Sequence, residues 1–212
     1  MPLRVHSGRT LFAVLAITLA TPAIAQQPPR SLSFDCDSTF PATVTAAQLR
    51  SRYGASNVSR ESIDIGEGEH QSATILFKDD STRRVQILWR DTVKERSPAT
   101  VEIHSTNTHW RTPTGLTTGM TLRAIERLNG RPFRLYGFGF DGSGVVRSWA
   151  SGKLATPESA ACRLGGALDD PVQQTSLRRW YTQATGDKEF SSAHKAMHAL
   201  NPRLAQMQLG YR

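Results

Sequence analysis

Residues 117–154 read TTGMTLRAIERLNGRPFRLYGFGFDGSGVVRSWASGKL, and this stretch organises the chain. Thr121 is an N-cap candidate, with Thr118 as the early alternative, and Leu122, Ile125 and Leu128 follow at i, i+3 and i+6 to form one apolar stripe. Glu126 is not placed to complete a capping box. Asn129-Gly130 supplies a left-handed stop, and Pro132 blocks continuation. A helix of two turns is unstable alone and must lean on a sheet. The sheet follows at once: two short strands joined at Asp141-Gly142, a dipeptide that suits the positive φ angles of a type I′ hairpin turn.

Gly137, Gly139, Gly142 and Gly144 also match G-x-G-x-x-G. A dinucleotide loop needs that pattern between a strand and a helix, but Val145-Val146-Arg147-Ser148-Trp149 reads as a strand, so the hairpin reading is preferred.

An earlier stretch has the same plan. Thr45, Leu49 and Gly54 have the spacing of Thr121, Ile125 and Gly130. Each helix leads to strands with a Phe before an acidic turn and a Trp at the end of the return strand: Phe77, Asp79-Asp80 and Trp89, then Phe140, Asp141 and Trp149. The predicted fold is therefore α+β: two tandem helix-plus-antiparallel-meander units with the helices packed on one sheet face. The first unit, with its N-terminal leader, spans 26–112; the second, with a C-terminal helix and strand, spans 113–212.

In the first unit, 58–65 precedes a Gly-Glu-Gly-Glu turn, and Ala73, Ile75 and Phe77 alternate with Thr74, Leu76 and Lys78. Val85, Ile87 and Trp89 alternate with Gln86, Leu88 and Arg90, and Val101 and Ile103 with Glu102 and His104. This is the pattern of half-buried antiparallel sheet. If the helices cover Ile75, Phe77, Val85, Ile87, Trp89, Val101 and Ile103, then Leu76, Gln86, Leu88, Arg90, Glu102 and His104 face outward. An apolar centre at Leu76 and Leu88 with a polar rim has the composition of a contact patch; the alternative is that the C-terminal extension covers this face and Leu76 and Leu88 are ordinary core. Further on, 161–164 is a strand expected to end at Gly165-Gly166, and 176–182 is ambiguous. Residues 192–200 read as a helix capped by Ser191 or Ser192 and stopped by Asn201-Pro202, and Leu204, Met207 and Leu209 mark a closing strand.

Residues 1–25 read as a secretory signal: Arg4 and Arg9, an apolar run over 11–20, and Ala23-Ile24-Ala25 for cleavage. The run is too short for a membrane anchor, and the expected compartment is periplasmic or secreted. Cys36 and Cys162 are then expected to form one disulfide, since an exported chain with an even count favours it and no His is spaced to join either in a metal site. The formal charge is +8, or +6 without the two arginines of the signal. Such a charge suits a protein or an anionic envelope component as partner, but the basic residues are scattered, with Arg83-Arg84 and Arg178-Arg179 only pairs, so a generally solvated surface is the preferred reading of the charge, and export argues against nucleic acid.

Residues 119–122 with Ile125 and 128–132, Gly-Met-Thr-Leu, Ile and Leu-Asn-Gly-Arg-Pro, resemble the G-M-T-x-x-x-V-x-x-L-x-G-x-P signature of the SmpA/OmlA outer-membrane-assembly lipoproteins. The tandem arrangement is similar to that of β-lactamase-inhibitory-protein-like modules, whose two units present a concave sheet to a partner. This resemblance implies helices on short antiparallel meanders. The chain departs from it in having no lipobox Cys and in its long C-terminal extension. As a whole it looks like secreted bacterial proteins, a resemblance that implies a compartment and says nothing of an activity.

No catalytic signature is present. His70, His104, His109, His194 and His198 form no H-E-x-x-H, and His194 and His198, at i and i+4, have no local third ligand. Ser191-Ser192-Ala193-His194 lacks the G-x-S-x-G elbow, so capping accounts for its serines. Glu67, Glu69, Asp79 and Asp80 are turn acids. No cofactor is expected. The expected function is non-catalytic recognition through an exposed sheet face, with an envelope hydrolase of unidentified site and an envelope structural factor as the alternatives.

Overall fold

The computed structural model describes Met1 and residues 32–157, 160–171 and 175–212. Apart from Met1, the signal segment and the leader through Ser31 lie outside the described residues. The fold is mixed α/β and mostly antiparallel, with about 38% strand against 19% helix, so sheets carry it.

In chain order the elements are β1 (Leu32–Ser33), α1 (Ala46–Tyr53), β2 (Val58–Gly66), β3 (Glu69–Leu76), β4 (Val85–Asp91), β5 (Arg96–Ile103), β6 (Trp110–Arg111) and α2 (Leu122–Asn129). There follow β7 (Arg134–Tyr136), β8 (Val146–Ser148), β9 (Cys162–Leu168), α3 (Arg178–Gln183), β10 (Glu189–Ser191), α4 (Lys195–Leu200) and β11 (Leu204–Tyr211).

The caps act as their residue types dictate. Thr45 and Gln48 form a reciprocal capping box on α1, and the Thr121 hydroxyl accepts from Ala124 N on α2. Gly130 ends α2 in the left-handed conformation. The N-cap of α4 is His194, whose Nδ1 accepts from Ala196 N; neither Ser191 nor Ser192 holds that position.

The main sheet has the order β2-β3-β4-β5-β11-β9 and is antiparallel throughout. It draws strands from both sides of the 112/113 boundary, because β11 lies between β5 and β9. A second sheet has the order β10-β7-β8, and a bridge between Val145 and Ala167 ties the β8 end to β9. β1 and β6 form a short parallel pair.

Two local expectations are corrected. The β7–β8 connection is a loop, not a type I′ turn: neither Asp141 nor Gly142 has positive φ, while Gly139 and Gly144 do. The loop is held by Asp170 Oδ2, which accepts from Gly139 N and from the hydroxyls of Ser143 and Tyr181. Strand β9 also runs through Gly165-Gly166 instead of ending there. A Cβ on Gly166 would sit 2.6 Å from the Gln206 carbonyl oxygen, so glycine here lets β11 approach closely.

Core side chains from α1 (Ala46, Leu49), α2 (Leu122, Ile125) and α4 (Met197, Leu200) join Val85, Ile87, Trp89, Val101, Ile103, Met207 and Leu209 in one apolar cluster. Each large buried side chain contributes about 1.5–3 kcal/mol. Trp89 Nε1 donates to Thr74 Oγ1, Thr74 donates to Glu95, and Glu95 pairs with Arg50 of α1. This relay satisfies the buried indole while fixing α1 against the β4–β5 turn. Cys36 and Cys162 are disulfide-bonded with a Cα–Cα distance of 6.1 Å, within the usual range.

The register of β3 reverses one expectation. Leu76 pairs with Val85 and Thr74 with Ile87, whereas Ile75 pairs with Gln86 and Ala73 with Leu88. Directly opposed residues share a face. Thr74 and Leu76 therefore lie on the core face, and Ala73 and Ile75 lie on the other. Phe77, with φ of +52°, breaks the alternation and turns into the core against Tyr53.

Candidate functional site

The face opposite the main core is read from the pairing. Across β2, β3, β4, β5, β11 and β9 one row runs Ser59, Ile75, Gln86, Glu102, Gln208 and Gly165, and the next runs Glu61, Ala73, Leu88, Thr100, Gly210 and Arg163. On β4, Val85, Ile87 and Trp89 are buried, while Gln86 and Leu88 are partly exposed and Arg90 is exposed. On β5, Val101 and Ile103 are buried while Thr100 and Glu102 are partly exposed. On β4 and β5 the two faces thus differ in the way an antiparallel sheet with one packed side should, whereas on β3 Ala73 and Ile75 of these rows are buried.

At one end of this face is a cleft of about 340 Å³, lined by Ser81, Arg84, Gln86, Glu102, His104, Ser105 and Thr106. Glu102 is its centre. His104 Nε2 lies 3.0 Å from Glu102 Oε2, and Gln208 Nε2 donates to Oε1 at 2.9 Å. The hydrogen bond from His104 holds the Glu102 carboxyl below its ordinary range despite its burial. Its side chain is 13% exposed against 55% for His104, so the imidazole stands at the mouth and the carboxylate beneath it. Arg84 reaches across β3 to Glu61 at 3.5 Å and donates to the Lys78 carbonyl. By the register, that link passes over Ile75, which is fully buried.

Of the six residues expected to face a partner, the fold gathers Gln86, Glu102 and His104 into this cleft. Leu88 is on the same face, between Ala73 and Thr100. Arg90 is spoken for at the far end, donating to the Tyr211 carbonyl at 2.6 Å. Leu76 is not on this face; it is fully buried in the main core. Arg84 was findable, since it shares the parity of Gln86 on the way into β4. Gln208 was not, because nothing local tells β11 to pair with β5.

The serine-histidine stretch is tied together differently from a nucleophile and its base. Ser192 is fully buried, accepts from Phe133 N and donates to Glu126 Oε1 at 2.6 Å. His198 Nε2 lies 2.7 Å from the other oxygen, Oε2. The carboxylate stands between serine and imidazole, so the histidine is not placed to take the serine proton. Among the described residues, no group of three or more His, Cys, Asp or Glu could hold a metal ion.

No family model, curated protein or solved structure matches the chain. No helix among the described residues is long and apolar enough to cross a membrane.

Proposed function

We propose that the protein is an exported, non-catalytic binding protein that recognises a protein partner through the outer face of its main sheet. The observation that carries this reading is the alternation on β4 and β5: one parity fully packed, the other partly exposed and converging on the Glu102 cleft. Leu88 is the partly exposed apolar residue of this face, beside the buried Ala73 and Ile75, and Arg84, Gln86, Glu102 and His104 add charged and amide groups that fix orientation.

The tandem plan supports a broad surface. α1 precedes β2–β5, and α2 precedes β7, β8, β9 and β11. Two helix-plus-meander units joined through the β5–β11 pair, with the Val145–Ala167 bridge at their far side, would extend the face beyond either half.

The test is Leu88→Glu together with Glu102→Gln. On a contact face, both variants should keep a melting temperature within a few degrees of the parent and lose a partner identified by crosslinking from envelope extract. A drop of several kcal/mol in stability for Leu88→Glu would sink the reading, because a charge is that costly only in a sealed interior. Turnover of wall fragments or esters that disappears with Glu102→Gln would favour the hydrolase instead.

A further inference from the structure

The basic pair Arg178-Arg179 opens α3, and the fold brings further cations to it. α3 packs against α4, and Trp180 lies where they meet: the Arg179 guanidinium is 4.9 Å and the Lys195 ammonium 5.3 Å from the centre of its ring. The contacts continue to β10. His194, next to Lys195, meets the Phe190 ring edge-on at 5.3 Å, and the Lys188 ammonium lies 5.1 Å from the centre of that ring. Cations and rings thus alternate along one row, from Arg179 through Trp180, Lys195, His194 and Phe190 to Lys188.

The charges of the row are at the surface. Arg178, Arg179, Lys188, His194 and Lys195 are exposed and Trp180 is partly exposed, while Phe190 is buried. Segments 178–180 and 187–195 carry four Lys and Arg charges against two acids, Asp187 and Glu189, and Glu189 is neutralised by Arg134 of β7. Residues 172–174, ahead of α3, are Val-Gln-Gln and add no charge. The cation–π contacts hold Arg179 and Lys195 over the indole, which reduces the freedom they lose on binding. α4 buries Ala196, Met197 and Leu200 in the core cluster, so the row lies on the helix side of the molecule and shares no residue with the Glu102 cleft.

We propose that this row binds a linear anionic polysaccharide, a glycan chain that carries acidic groups along its length. Cations set out in a row match charges repeated along a chain, and guanidinium forks take the oxygens of an acidic group two at a time. Between the charges, the partly exposed indole offers an apolar surface to a sugar ring. A lipid bilayer fits less well. Phe190 is buried and Trp180 is half covered by its neighbours, so neither ring of the row projects as an anchor. The site is separate from the outer sheet face, and either can fail without the other.

The experiment is an NMR titration of the disulfide-bonded protein, with heparin as a sulfated glycan and polygalacturonate as a carboxylated one. Dextran serves as the uncharged control and phosphatidylglycerol vesicles as the lipid control. At least one of the acidic glycans should shift the indole N–H signal of Trp180 saturably, with a dissociation constant of about 10 μM or tighter. The affinity should fall as salt is raised. Arg179→Gln, Lys195→Gln and Lys188→Gln should each weaken binding by about threefold or more, since each removes one charge of the row. Lys94→Gln, an exposed lysine in the β4–β5 turn, should leave it unchanged. The proposal is overturned if neither acidic glycan saturates the signal, if dextran moves it with the same midpoint, or if the vesicles move it and the glycans do not. It is equally overturned if Lys94→Gln costs as much as Lys195→Gln, or if Lys188→Gln has no effect.

Discussion

Asp35 shows how a single carboxylate can organise a segment. It is 8% exposed and accepts from the amides of Asp37, Ser38 and Thr39 and from the hydroxyls of Ser33, Ser38 and Thr39. Burial alone would push its carboxyl up; the hydrogen bonds from Ser33, Ser38 and Thr39 outweigh this and hold it at about 2, against an ordinary 3.8. The folded value lies below the unfolded one, so the stabilisation is complete above about pH 4 and is lost as pH falls through 2. Asp35→Asn should cost on the order of 1–2 kcal/mol at neutral pH, allowing for solvent screening. Urea midpoints measured from pH 6 down to 2 should converge for the two proteins. A gap that stays constant with pH would show that the loss comes from packing alone. Nothing in the local sequence marks Asp35 for this role, since Asp35-Cys36-Asp37-Ser38-Thr39 holds two aspartates and does not say which of them turns inward.

At the scale of elements, the strongest local signals survive and the pairings do not follow from them. Thr45, Thr121, Gly130 and Asn201 do what their chemistry favours, because a cap depends only on its own turn. The register of β3 was illegible for a physical reason: Ala73, Thr74, Ile75 and Leu76 are all buried, so apolarity does not distinguish the two faces. Gln86, Glu102 and His104 could be placed together because β4 and β5 alternate cleanly. Asn129 is a further case. It reads as half of a helix stop, yet it is 1% exposed, donates to the carbonyls of Arg131 and Trp149, and accepts from Leu154 N. Asn129→Ala would leave buried backbone groups unpaired and should cost about 2–4 kcal/mol. The melting temperature should fall by several degrees, and the Leu154 amide should exchange hydrogen faster. An unchanged exchange rate at Leu154 would show that the loop does not depend on this side chain.

Over the whole molecule, the topology is closed late in the chain. β11 separates β5 from β9, so the main sheet is completed only when the last strand is in place. The disulfide acts on the same assembly from the other end. Cys36 follows β1, which pairs with β6, and Cys162 begins β9 at the edge of the main sheet. Both cysteines are buried, at 9% and 1% exposure, so the bridge is part of the core and not a surface staple. It spans 126 residues, and restricting so long a loop in the unfolded chain is worth about 4–5 kcal/mol on the chain-entropy estimate, an upper figure. For a chain of this length, each kcal/mol shifts the melting temperature by about 2–4 °C. Reduction, or the Cys36→Ser/Cys162→Ser double variant, should therefore lower it by about 10 °C. The loss should appear mainly as a destabilised global transition, since the bridge ties the first described segment to a strand that β11 must meet. Hydrogen exchange offers the finer check: protection should fall across β9 and β11 as well as near Cys36. If the reduced protein melts within two or three degrees of the oxidised one, the sheet is held by β11 alone and the bridge adds little to the folded state.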